Sequence, residues 1–185
     1  MEKPTATPRP KAEATSSDSS KTVANNVSAK RISTITGFFQ NVGVSDTNSL
    51  PDYCNNKYFY SNIIRHALKP DQVLRGRLTC ILTVTPALGN IYDNFHGGVV
   101  AAVAEKVSYA CARTVVTEDK DIFLGELSIS YLSSAPVNTE VIVDCSVVRS
   151  GRNFTVVAME FKVKRTGKLA YTARSTFFNM PVAKL

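Results

Sequence analysis

The chain has 185 residues, 44% of them apolar, with 9% aromatic residues and no tryptophan, which is enough for one domain with a real core plus a tail and needs neither disulfide nor metal. No apolar run approaches the roughly 18 residues of a spanning helix and no apolar signal segment follows the first Met, so the expectation is a soluble protein without a membrane span. The formal net charge is +7, but there is no zinc-finger spacing and no RNP-like aromatic motif, and nucleic acid is set aside as a partner.

In chain order, residues 1–30 are rich in Pro, Ser, Thr, Ala and Lys and nearly empty of large apolar side chains, a composition that predicts a disordered tail. Residues 31–70 read as an N-terminal helical extension. Within it, Ile32, Ile35, Phe38, Phe39 and Val42 recur at three and four, as on a short amphipathic helix over Lys30 to Val44, and a second element runs from Tyr53 to Leu68 before Lys69-Pro70. Val73 to Pro86 alternates apolar and polar residues as one half-solvated strand does. From Asn90 to Glu118 a two-glycine loop opens into roughly twenty residues without Gly or Pro, dominated by Ala and Val, too apolar for a surface helix and in need of a cover. Four strand-length segments follow, Ile122–Leu132, Thr139–Arg149, Phe154–Lys164 and Leu169–Asn179, and the last three are joined by hairpin turns. That order predicts an α+β fold in which residues 71–181 wrap an antiparallel sheet, a meander joined by the strand before the helix, around one long central helix.

The four cysteines, Cys54, Cys80, Cys111 and Cys145, show no C-x-x-C spacing and read as buried thiols in a reducing compartment. Residues 1–36 hold six Lys or Arg against three Asp or Glu, and the remaining charge falls on the later strands. There Arg149, Arg152, Lys162, Lys164, Arg165, Lys168 and Arg174 are either solvated strand positions or a patch for an anionic ligand.

Asn90, the run His96-Gly97-Gly98, the acidic Glu105 nine positions after that His, the segment from Glu126 to Leu132 and the turn Arg165 to Lys168 together resemble the small hotdog-fold acyl-CoA thioesterases. The resemblance is to their phenylacetyl-CoA thioesterase branch and covers about residues 73–180. It implies an enzyme that hydrolyses a thioester to a free acid and coenzyme A with no cofactor and no metal. It also implies a homo-oligomer, a dimer of dimers in which the Asn and H-G-G loop of one subunit meet the acidic residue of a neighbour.

Chemistry gives independent reasons for these residue types. The first N–H groups of a helix are unsatisfied donors at the positive end of the helix dipole, and glycine lets a substrate approach them closely, so Gly97, with Gly98 as a second donor, is the candidate to polarise the thioester carbonyl. Glu105 follows six apolar residues, where burial raises a carboxylate's pKa, and the resemblance gives it the role of base or nucleophile, with Ser108 and Tyr109 as hydrogen-bond partners. Its bland alternative is a solvated glutamate at the helix edge. Asn90 is implied to orient the water or the thioester, or is a turn residue alone, and His96 holds the loop through the backbone. The basic turns with Arg152, Arg165 and Lys168 are candidates for the phosphate end of coenzyme A.

Two positions depart from the family pattern. Leu124, followed by Gly125, stands where relatives often carry Ser or Thr, and Asp93 stands where they often carry Gly. These departures motivate a second reading, a catalytically weakened hotdog module that binds acyl-CoA or a protein partner. Residues 183–185, Ala183-Lys184-Leu185, are a variant of the S-K-L address, which predicts a peroxisomal location through the import receptor, with the cytosol as alternative.

Overall fold

The computed structural model describes residues 28–41 and 57–181. Most of the 1–30 tail, Cys54 and the 183–185 tripeptide lie outside those residues. The chain divides into two compact units, Met1–Ser49 and Leu50–Leu185. In the first, helix α1 spans Ala29–Asn41 and buries none of its side chains. It agrees with the spacing of Ile32, Ile35, Phe38 and Phe39.

The second unit begins with helix α2, Phe59–Ala67, which buries Ile64 and Ala67. Strand β1, Leu68–Leu74, follows without a break and pairs antiparallel with β2, Arg77–Thr83, through a turn at Arg75 and Gly76. One strand expected over Val73 to Pro86 is therefore a hairpin, and its first strand starts inside the segment read as a helical extension. The physical reason is that β1 is an edge strand with only Leu68 partly covered, so it has no apolar alternation to reveal it. Its Pro70 costs little at an edge and lies beside a register shift between Pro70 and Gln72. Gly76 takes φ 75° in that turn, a left-handed conformation that glycine adopts without strain.

A 3-10 turn, Pro86–Leu88, leads to helix α3, Gly97–Arg113. Then come β3 (Lys120–Tyr131), β4 (Glu140–Ser150), β5 (Phe154–Val163) and β6 (Leu169–Pro181). The sheet order is β1-β2-β4-β5-β6-β3, every pair antiparallel. Both strands before the helix thus join the sheet, and only β4, β5 and β6 form a meander. Strand β3 crosses to the far edge and pairs with β6, because a chain leaving the end of a helix laid across a sheet arrives beyond the opposite strands.

Helix α3 presses Val100, Val103, Ala104, Val107, Cys111 and Ala112 onto that sheet, all 0–1% exposed. Its other side carries Glu105, Lys106, Tyr109 and Ala110 in solvent. The expected wrapping is one-sided within a single chain, and small alanines at 101 and 102 keep the open side shallow. Cys80, Cys111 and Cys145 are free and buried. Burial pushes the Cys80 thiol up to about 11, and because all three are shut off from solvent they should resist alkylation at pH 8 in the native protein and react on unfolding, as a timed thiol titration with and without denaturant would show.

Candidate active site

The loop before α3 is tied by its own amides. Gly89 and Phe95 form a bridge, the Asn90 N–H donates to the Asn94 carbonyl at 2.7 Å, and the Asn90 side-chain Oδ1 accepts from the N–H groups of Tyr92 (2.9 Å) and Asn94 (3.2 Å). Asn90 therefore holds a turn. Its carboxamide oxygen is used inside the loop, and among the described residues its Nδ2 donors have no partner. Asp93 adopts φ 53°, the left-handed region where Gly is easiest and Asp is tolerated among the few. Asp93 thus fills a left-handed turn position, which is compatible with the Gly that the resemblance implies there.

His96 caps α3. Its Nδ1 accepts the Gly98 N–H at 3.0 Å, and its carbonyl accepts from Val99 (2.9 Å) and Val100 (3.0 Å). A ring nitrogen that accepts is unprotonated, so the proton of the neutral imidazole sits on Nε2. The loop-holding role expected for His96 thus has a geometry, and it removes Gly98 as a second donor. Of the first-turn donors, the Gly97 N–H is left without an acceptor among the described residues, at the positive end of the helix.

Gly97 is held from the other side. The Tyr131 hydroxyl of β3 donates to the Gly97 carbonyl at 2.9 Å, and a Cβ on Gly97 would lie 3.4 Å from the Tyr131 ring. Tyr131 stacks edge-on against Tyr171 at 5.6 Å, and Tyr171 meets Phe95 at 6.0 Å and Phe161 at 5.8 Å in the same manner. One aromatic cluster therefore joins the core to Phe95, just before the glycine pair, and to Gly97 itself. Neither tyrosine was singled out from the sequence. The signal that could have found Tyr131 is its place on the last inward position of β3.

Glu105 lies on the exposed side of α3, so in one chain its expected burial is not met and the helix-edge alternative describes it. Ser108 Oγ donates to the Glu105 backbone carbonyl at 3.1 Å, and the Tyr109 hydroxyl accepts from Arg113 at 3.3 Å. Neither reaches the carboxylate, contrary to expectation, because i+3 and i+4 neighbours on this helix find nearer partners. Eight residues separate Glu105 from Gly97, about 12 Å along the axis at 1.5 Å per residue. The two cannot act on one carbonyl within one chain.

Leu124 and Gly125 sit at a register shift between Leu124 and Glu126 in β3. A Cβ on Gly125 would come within 2.2 Å of the Phe178 ring, so the glycine makes room for that ring. Leu124 offers no hydroxyl. The three basic residues do not converge: Arg152 is in the β4–β5 turn, Arg165 and Lys168 in the β5–β6 turn, at opposite ends of β5 and about 30 Å apart by strand rise. The segment 132–139 ties the Arg165 end to the glycine loop, through Phe95 N–H to Ala135 O (2.8 Å) and Lys164 N–H to Glu140 O (2.8 Å).

Beside His96 and Gly98 opens a mostly apolar cleft of about 260 Å³, whose walls include Phe59 and Ile63 of α2, Ala87 and Val99. Phe59 and Ile63 escaped notice in the sequence, although their i, i+4 spacing with Ala67 gives α2 one apolar face. Among the described residues there is no cluster of three or more His, Cys, Asp or Glu able to hold a metal ion.

Residues 92–170 match the Thioesterase superfamily. A Caenorhabditis elegans protein that bears the name of an esterase is 27% identical over 120 residues, covering 65% of this chain and 70% of that protein. A hypothetical thioesterase of Streptococcus pneumoniae, solved with coenzyme A, superposes with a TM-score of 0.60 at 18% identity, covering 69% of this chain and 97% of that one. Zebrafish thioesterase superfamily member 2 gives 0.60 at 16% identity, covering 79% and 96%. A six-stranded antiparallel sheet holding a helix that starts at a glycine pair is the hotdog fold that these solved structures share.

Proposed function

We propose that this protein is an acyl-CoA thioesterase whose site is assembled from two subunits. The observation that carries the reading is the Gly97 N–H, a helix-end donor with no acceptor among the described residues, between His96 and Gly98, which line an apolar cleft. It polarises the thioester carbonyl, and such donors contribute about 10²–10³ in rate where they have been removed. The Asn90 amide donates to the attacking water or the thioester oxygen. Glu105 of a second copy serves as base or nucleophile, since the 12 Å separation removes Glu105 of the same chain. An edge strand β3 with half-covered Leu127 and Ile129, next to the open side of α3, supports such an assembly. Arg165 and Lys168, at the glycine-loop end, are the residues proposed for the phosphate end of coenzyme A, with Arg152 contributing only from another subunit. The coenzyme A in the Streptococcus pneumoniae relative supports the ligand class.

The acyl group is assigned to the cleft beside His96, with Phe59 and Ile63 as its far wall. Ile63→Trp, on the half-covered face of α2, should narrow the cleft and shift the substrate preference toward shorter acyl chains. Thiol release from a graded acyl-CoA series would then show kcat/KM falling for long chains and holding for short ones. An equal loss across the series would remove the cleft from the acyl path.

Tyr131→Phe removes the hydrogen bond to the Gly97 carbonyl but keeps the ring. The expected result is a lower kcat with KM nearly unchanged and a stability loss of no more than about 1 kcal/mol. Steady-state kinetics beside thermal unfolding separate that outcome from a fold defect. Thiol release from short, long and aromatic acyl-CoA esters tests the function itself, and no release from any ester that binds would favour the weakened binding module, with Leu124 in place of a hydroxyl as its cause.

A further inference from the structure

We infer that helix α1 is a lipid-surface docking element whose partner is an anionic bilayer. At 100° per residue, Ile32, Ile35, Phe38 and Phe39 fall within an arc of about 120°. Ser33, Thr34, Thr36, Gln40 and Asn41 occupy the rest. The four apolar side chains are 42–58% exposed and no residue of the helix is buried.

A helix of 13 residues that buries none of its side chains is too short to be stable in water on its own propensity, and this one carries Gly37 near its middle and a run of five β-branched or hydroxyl residues, Ile32 to Thr36, before it. Its apolar arc needs a surface. The charge says which surface. Residues 29–41 contain Lys30 and Arg31 and no acidic residue, and Arg31 falls inside the apolar arc, between Phe38 and Ile35, where a long cationic side chain can reach a headgroup while its stem lies on the apolar side. The second unit is basic too, with sixteen Lys or Arg against eleven Asp or Glu from residue 50 onward. An anionic lipid surface therefore attracts both units. Bulky apolar residues on one face, small polar ones on the other and flanking cations form the pattern of a helix lying in the interface plane rather than crossing it. It is also far shorter than a span. The inference does not depend on the thioesterase reading.

The test is co-sedimentation of the full-length protein with large vesicles of phosphatidylcholine alone or with 30% phosphatidylserine, about 30% being a strongly anionic surface. The variants are Ile35→Ser with Phe39→Ser, and Lys30→Ala with Arg31→Ala. The expected result is binding to the anionic vesicles, weakened by salt, lost in the apolar double variant and reduced several-fold in the charge variant. Both variants should unfold at the wild-type temperature, because α1 lies outside the hotdog core. No binding to anionic vesicles overturns the inference. So does binding that survives Ile35→Ser with Phe39→Ser, which would assign it to the basic domain alone. Equal binding to neutral vesicles overturns the choice of an anionic partner. If the apolar variant instead lowers the mass of the lipid-free protein in light scattering, the face belongs to a second copy and the lipid assignment fails.

Discussion

Glu105→Ala should lower acyl-CoA turnover by about 10²-fold or more, the scale of a lost general acid or base, with an unchanged unfolding temperature. The second half of that expectation follows from exposure. Among the described residues the Glu105 carboxylate has no hydrogen-bond or ion-pair partner, so removing it leaves no cavity and no orphaned partner there. A residue so dispensable to its own fold, on a helix whose neighbouring positions are Ala and Val, is poorly explained by stability. The subunit origin of the site has its own experiment. Glu105→Ala and Asn90→Ala, each inactive alone, should regain roughly a quarter of wild-type activity when co-expressed, because half of randomly paired dimers are mixed and each mixed dimer holds one intact site. No recovery in demonstrably mixed dimers would place both residues in a single-chain site and contradict the 12 Å separation.

The largest stability effect is expected at Phe161. Its ring is 0% exposed and stacks on Tyr171, which in turn meets Phe95 and Tyr131. Phe161→Ala should cost about 3–5 kcal/mol by lost burial and the cavity left behind, lowering the unfolding temperature by about 10 °C or more at this domain size. Because the aromatic cluster reaches the loop at Phe95 and at Gly97, the folded fraction of the variant should also turn over more slowly. Phe161→Leu, which refills most of the volume, should recover most of the stability and less of the activity. Calorimetry and thiol release on the same samples separate the two losses. An Ala variant as stable as wild type would show that the cluster is not the support described.

Helix α3 and strands β3 to β6 were readable because each repeats apolar residues at its own period, and the core-facing set of Val100, Val103, Val107 and Cys111 keeps that period. Strand β1 was not readable, since an edge strand with exposed Lys69, Asp71 and Gln72 has no buried face to mark it. The order of β3 and β6 was equally hidden, for pairing partners are chosen by where α3 delivers the chain. Gly97 could be named from the H-G-G run, but whether one N–H or two remained free depended on the rotamer of His96.

By itself, then, the sequence determined the elements whose burial follows a local period, the α+β class, the glycine pair at a helix mouth and the carboxylate at Glu105. Only the tertiary structure decided that Gly98 is spent on His96 and that Tyr131 clamps Gly97. The same holds for Asp93 filling a left-handed turn position and for Arg152 standing about 30 Å from Arg165. The physical reason is range. Periodicity and helix-end chemistry act over a few neighbouring residues, whereas a hydrogen bond such as Tyr131 to Gly97 joins residues 34 positions apart, and no local pattern encodes which distant groups the packed sheet will bring together.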